Sequence, residues 1–486
     1  MHLSDIKHYE RCPRLFWLCL HEPKPFVPFV YYNGSMSDYI REYFAVTDCF
    51  QGQAGDDGQL AMQAIKETAV LINARFEYQN LRVKVSLMMK ACEQWDVYFA
   101  YASCYPRDNE AQKIADTICV LEALGIAIRD VKVIHLNADY VRGETLNVKE
   151  MLVVTEYLYH RRNKAAETVL SLVNQVRRNV FAPLKEMHGL WEGDVLAASE
   201  GPHCMKGGKC RYYDDCFPNP TSDTCITNLM QTAHKYNMME QGIHDMKDVD
   251  MALLEGTRQQ YAQLMAARHN GFYMDRFALS SWMDDQLHYP LSYLDFEWET
   301  FVYPPYKGMR SYDVLVFQYS LHVESNQDAP LIHHEYIGQG DCRIAFIEHL
   351  IQHIPATGTI LVFNMEGAEK LRLRQLAEQF PSYHDALMSL CDRMVDLSLP
   401  FASGCIYDSR MRGFYSLKKL AEIFGGLDYH ALDISQGLQA AHGWRMMEDD
   451  EEAAETIRMA LLKYCAMDTY AEYVLLHRMM KLVKQA

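Results

Sequence analysis

The chain has 486 residues, 49% of them hydrophobic and 23% charged, and a formal net charge of −17. That make-up excludes a disordered or fibrous chain and gives enough length for two or three domains with a sizeable core. No run of about 18 apolar residues offers a membrane span, and Met1–Lys7 lacks the apolar centre of a secretory signal. The fourteen cysteines therefore read as thiols or metal ligands in a reducing cytoplasm rather than as a disulfide framework. The acidic balance sits poorly with a nucleic-acid partner, but part of it is the local run Glu448-Asp449-Asp450-Glu451-Glu452, which reads as a solvated loop.

In chain order, residues 1–217 mix helical and strand patterns. Ser4 is placed to cap an opening helix. Alternation predicts strands over 81–87, 96–101 and 131–136. A long helix is predicted from about 147 to 179, carrying Arg161, Arg162, Lys164, Arg177 and Arg178. Those cations suit either phosphate tracking or a solvated face. Pro218-Asn219-Pro220-Thr221-Ser222 reads as a linker, followed by a helical connector over 218–288. From 289 to 486 the pattern turns α/β. Strands are expected at 291–298, 312–322 and 359–363, and helices at 341–353, 367–379, 416–425 and 454–481.

Two groups of residues carry chemistry. Cys204, Cys210 and Cys216 recur at intervals of six, and Cys12 stands far upstream in Cys12-Pro13-Arg14-Leu15-Phe16-Trp17. Structural zinc favours cysteine pairs two to four residues apart, so this spacing leans toward an iron–sulfur centre, with zinc as the alternative. His203 and Cys225 are lower-ranked substitutes, and the other nine cysteines read as core. The second group is Asp295-Phe296-Glu297, two carboxylates on one face of a strand. It is answered by Tyr464 and Asp468, four residues apart on one helix face. Carboxylates converging from a strand and a helix suit hard divalent cations.

Asp-x-Glu on a first strand and a late Tyr-x-x-x-Asp resemble the DnaQ-like 3′–5′ exonucleases of RNase H-like fold, in the variant with tyrosine in the last motif. Pro290–Glu297, Phe317–Val323, Val395–Leu397, Tyr415–Lys419 and Leu462–Thr469 extend the likeness to a prokaryotic family of uncharacterised proteins. In that family such a domain follows a RecB-like domain with a cysteine cluster. The resemblance implies domains at 1–217, 218–288 and 289–486. It implies two Mg or Mn ions held by Asp295, Glu297, Glu369 and Asp468, with Tyr464 orienting the attacking water. The second motif carries one extra residue between Asn364 and Glu369, which leaves Glu366 open as the alternative. Asp396 reads as an anchor or a metal aid, and Lys418 as a phosphate contact or a surface residue. The early cysteine and the late triplet resemble the [4Fe–4S] staple of RecB-like nucleases, through Cys12, Cys204, Cys210 and Cys216.

The resemblance also implies a PD-(D/E)XK site in the N-terminal domain, and the residues decline it. Ser86, Phe99 and Tyr101 stand where the Asp, Glu and Lys would be, and only Glu77 remains upstream. The expectation is a cytoplasmic, metal-dependent 3′–5′ exonuclease acting on DNA or RNA. Its inactive RecB-like domain would bind nucleic acid or a protein partner. The alternative is a non-catalytic nucleic-acid-binding or assembly protein in which both nuclease sites have decayed.

Overall fold

The computed structural model describes residues 1–218, 222–232, 234–327, 329–449 and 451–485. The chain is a mixed α/β protein that divides into two compact units. The first comprises Met1–Phe217 and Phe301–Asp313; the second comprises Pro218–Thr300 and Val314–Ala486. Asn219, Pro220 and Thr221 of the expected linker lie outside the described residues.

In the first unit the strands β1 (Phe50–Gln51), β2 (Val70–Tyr78), β3 (Leu81–Ala91), β4 (Gln94–Tyr101), β5 (Ile128–Leu136) and β6 (Leu152–Thr155) form one sheet in that order. Only β1–β2 and β4–β5 run parallel, and the helix Ala111–Ala123 supplies the crossover that the parallel pair β4–β5 needs. One sheet face packs under this helix through Ile114, Ala115 and Ile118. The other packs against Ile40, Tyr140 and Met151.

The single long helix expected over 147–179 is not formed. Asn147 caps a short helix, Val148–Met151, by accepting from the Lys149 amide. The β-branched run Val153-Val154-Thr155 then joins the sheet as β6, as such side chains favour. Next, β7 (Tyr157–Tyr159) and β8 (Ala165–Thr168) pair as a hairpin, turning at Asn163 with φ +57°. Helix resumes only over Val169–Val176. Arg177 and Arg178 are committed to protein carboxylates, Glu122 and Asp116 respectively, each at 2.7 Å.

In the second unit the connector holds helices Lys235–Glu240, Arg258–Arg268 and Arg276–Gln286 together with a strand, β9 (Phe272–Met274). Beyond it come β10 (Leu291–Thr300), β11 (Val314–Glu324), β12 (Ile332–Ile337), β13 (Thr359–Val362) and β14 (Met394–Asp396). They form a sheet in the order β12-β11-β10-β13-β14. The first two pairings are antiparallel and the last two parallel. A final strand, β15 (Ile406–Asp408), pairs with β9. Gly358, at φ +87°, precedes β13 where a Cβ would collide with the Pro290 carbonyl, so the parallel β10–β13 pairing depends on a glycine there.

The 35-residue helix Glu451–Gln485 closes the unit over β10 and β11. The acidic run Glu448–Glu452 is not an open loop, because helix Gly437–Asp449 ends in it and the next helix begins there; Asp450 itself lies outside the described residues. Among the described residues no helix is long and apolar enough to cross a membrane.

Candidate functional site

The site is built on β10, which lies between β11 and β13 and is therefore rigid from both edges. Strand alternation sends Asp295 and Glu297 to one face, the face covered by the C-terminal helix. That helix presents Tyr464, Cys465, Asp468 and Glu472, at intervals of three and four, along one side. Thr469 fixes its height by bonding to Ser320 Oγ at 2.7 Å and His322 Nδ1 at 2.8 Å. Gln318, the cross-strand partner of Glu297, donates to the Leu461 carbonyl at 2.8 Å.

The consequence is a convergence of Asp295, Glu297 and Asp468, with one oxygen from each within 4.8 Å of the others. Glu297 and Asp468 are buried, and Asp295 is partly exposed. The Cys465 thiol lies 3.4 Å from Asp295 Oδ2.

Glu369 reaches the same place by another route. The loop after β13 turns at Asn364, at φ +67°, and Asp396 at the end of β14 holds it. One Asp396 oxygen accepts from the Asn364 and Ser398 amides at 3.0 and 2.8 Å, and the other from Met365 at 3.1 Å. Asp396 is thereby a loop anchor. The loop delivers Glu369, the first residue of helix Glu369–Gln379, into the interior. Glu366 instead faces outward and pairs with Lys370 at 3.1 Å and Arg374 at 3.0 Å. Glu369 lies outside the tight group of three.

These carboxyls are all pushed above the ordinary carboxylate range. For Asp295 burial is the main cause and the Asp468 charge the next. For Glu297 burial is followed by Asp295 and Asp468, and for Glu369 by Asp295. Asp468 rises only to about 6, because Lys418 and the Tyr429 and Tyr464 hydroxyls oppose its burial. Lys418 is not a plain surface residue. Its Nζ donates to the Tyr464 hydroxyl at 2.8 Å and to the Ser435 carbonyl, and sits 4.5 Å from the Tyr464 ring centre.

Lys418 and the Arg372 guanidinium, which acts on Glu369, do not balance this much carboxylate charge. Asp468 Oδ1, Glu369 Oε2 and both oxygens of Glu472 are buried without a donor. An acidic pocket with this many donor-free carboxylate oxygens fits a hard divalent cation such as Mg or Mn. Sequence reasoning did not single out Glu472, Cys465 or Tyr429. Only Glu472 left a signal, its four-residue spacing from Asp468.

In the first unit Cys12, Cys204, Cys210 and Cys216 line one cavity together with His203. Arg11 ties the two chain segments by donating to the carbonyls of His203, Cys204 and Gly208 at 2.9 to 3.0 Å. Cys225 is elsewhere, its sulfur 3.2 Å from Thr227 Oγ1. Of the nine cysteines expected in the core, Cys342, Cys391, Cys405 and Cys465 are buried, whereas Cys92 is exposed in the β3–β4 turn.

Phe99 and Tyr101 do not share a pocket with Ser86. Phe99 is in the apolar core beneath helix Ala111–Ala123. The pocket that Ser86 lines is faced by Lys84, Asn73, Ala100 and Ala102. No carboxylate lines that pocket, and Glu77 is held by Arg82 at 2.9 Å.

A family model described as a domain of unknown function (DUF2779) matches residues 292–416. The match takes in Asp295, Glu297 and Glu369 and stops before Lys418, Tyr464 and Asp468. No curated protein and no solved structure matches the chain.

Proposed function

We propose that the second unit is a metal-dependent 3′–5′ exonuclease of DnaQ-like type, cleaving phosphodiesters in DNA or RNA. The observation that carries this reading is the meeting of Asp295 and Glu297 on β10 with Asp468 on the C-terminal helix, one oxygen from each within 4.8 Å of the others. Asp295, Glu297, Glu369 and Asp468 would hold Mg or Mn ions. Such cations activate water and offset charge on a leaving oxygen. The protein's own groups do the rest. Tyr464, hydrogen-bonded by Lys418, offers its hydroxyl beside Asp468 to position the attacking water. Lys418 offsets negative charge at the rim. The anchored loop keeps Glu369 at the reacting end of the pocket.

The first unit is proposed as a RecB-like module without nuclease chemistry that binds nucleic acid or a protein partner in the cytoplasm. Its four cysteines would hold a [4Fe–4S] cluster. The six-residue intervals of Cys204, Cys210 and Cys216 lean toward that cluster and leave zinc as the alternative.

The test is incubation of the full chain with 3′- and 5′-labelled single- and double-stranded DNA and RNA in Mg²⁺ and in Mn²⁺. Metal-dependent release of the 3′ label is expected. Binding without release from any end would replace the exonuclease with a non-catalytic nucleic-acid-binding protein.

A further inference from the structure

The tight group Asp295, Glu297 and Asp468 accounts for one cation. Paired metals in phosphoryl-transfer sites stand about 3.5–4 Å apart, so a second must draw on oxygens beyond that group. Two carboxylates lie there with oxygens to give. Glu369 is 2% exposed with Oε2 free of any donor, and Glu472 is 0% exposed with both oxygens free. Asp396 does not compete, since its oxygens are taken by three backbone amides.

Glu472 stands one helical turn beyond Asp468 on the same helix face. After burial, the largest influences on it are the charges of Asp295, Glu369, Asp468 and Asp396. A fully buried carboxylate beside other carboxylates and lacking every donor is costly unless a cation joins it.

We propose that Glu472 is a ligand of a second divalent-cation position, beside the one that Asp295, Glu297 and Asp468 form, which this chain fills before any nucleic acid binds. The proposal rests on the two-cation reading of the site and adds that the second cation is held by the protein rather than by the substrate's phosphate.

The experiment uses the full chain stripped with chelator and titrated with Mn²⁺ in the absence of nucleic acid, with free Mn²⁺ followed by electron paramagnetic resonance. Wild type should bind two equivalents. Glu472→Gln should lose the second, or weaken it by at least about tenfold, since even a partner behind the ligands costs about that much, leaving the first unchanged. Glu366→Gln, outside the pocket, should keep both. One equivalent in wild type, or two unweakened equivalents in Glu472→Gln, would overturn the proposal while leaving the first cation in place. No binding at all by wild type would overturn the two-cation reading itself. Should Glu472→Gln not fold, the wild-type stoichiometry decides the matter, and Glu472→Asp, which keeps the charge on a shorter arm, should show the same selective weakening.

Discussion

At Asp295 two opposite demands meet in one side chain. It is the residue through which the charges of Glu297, Glu369, Asp468 and Glu472 all interact. Asp295→Ala should therefore abolish metal-dependent cleavage while raising the melting temperature of chelated protein, because one repelling charge leaves the pocket. Retained cleavage would remove this site from the chemistry. Tyr464→Phe keeps the ring under Lys418 and deletes only the hydroxyl, so kcat should fall by about 10²–10⁴-fold with the fold intact, the span of a positioned proton-handling group. Glu369→Gln should cripple cleavage and Glu366→Gln should be nearly silent, since only the first points inward. A reversed pair of activities would show that the loop from Asn364 to Glu369 is threaded the other way.

Among the elements, the decisive pieces are the loop between β13 and helix Glu369–Gln379 and the C-terminal helix. Asp396 sits in β14, yet its work is to hold Asn364 and Met365. Asp396→Ala would strand three amides, at about 1–3 kcal/mol for each one left unmet. Urea unfolding should show a loss of about 3 kcal/mol. Mn²⁺ affinity should drop as well, because Glu369 loses its support; unchanged affinity would show that the loop holds its own shape. In the C-terminal helix one side carries the site and the neighbouring side carries Thr469, which docks on β11. A single helix can thus set both the position and the tilt of Asp468.

For the whole molecule, the buried carboxyls make stability depend on pH and on metal together. Their folded-state pKa values lie above the unfolded ones, as with Asp468, which moves from 3.8 to about 6. Groups of this kind favour the folded state while protonated, so their contribution is present below about pH 4 and is lost as pH climbs through the folded values. In chelator the melting temperature of the second unit should fall between pH 5 and pH 7.5. Saturating Mg²⁺ should flatten the profile by taking the place of the protons. A melting temperature that rises with pH in chelator would contradict the buried-acid reading. Cys204→Ser should destabilise the first unit and bleach any broad absorption near 400 nm, roughly where a cysteine-ligated cluster absorbs. Stoichiometric zinc without iron in the wild type would keep the staple and reject the cluster.

Short spacings are legible in one dimension. Asp295 and Glu297 had to share a face because strand side chains repeat every two residues. Tyr464 and Asp468 had to share one because helix side chains return every three or four. The cysteine triplet is legible from its spacing, and Cys12 joins it through the resemblance to the RecB-like staple. Tertiary structure decided everything that hangs on a partner distant in the chain. Glu369 rather than Glu366 turns inward because Asp396, about thirty residues later, grips the loop. Glu472 reads in one dimension as one more acid on a long helix, and only the packing of that helix on β10 buries it. Residues 147–179 carry a helical pattern, but β5 offers an open edge to Val153-Val154-Thr155, and sheet pairing outweighs local propensity. Ala100, not Phe99, faces the Ser86 pocket, because moving one residue along a strand crosses to the other face. Side-chain periodicity is a property of the local backbone, whereas burial and charge environment are properties of whatever the fold brings alongside.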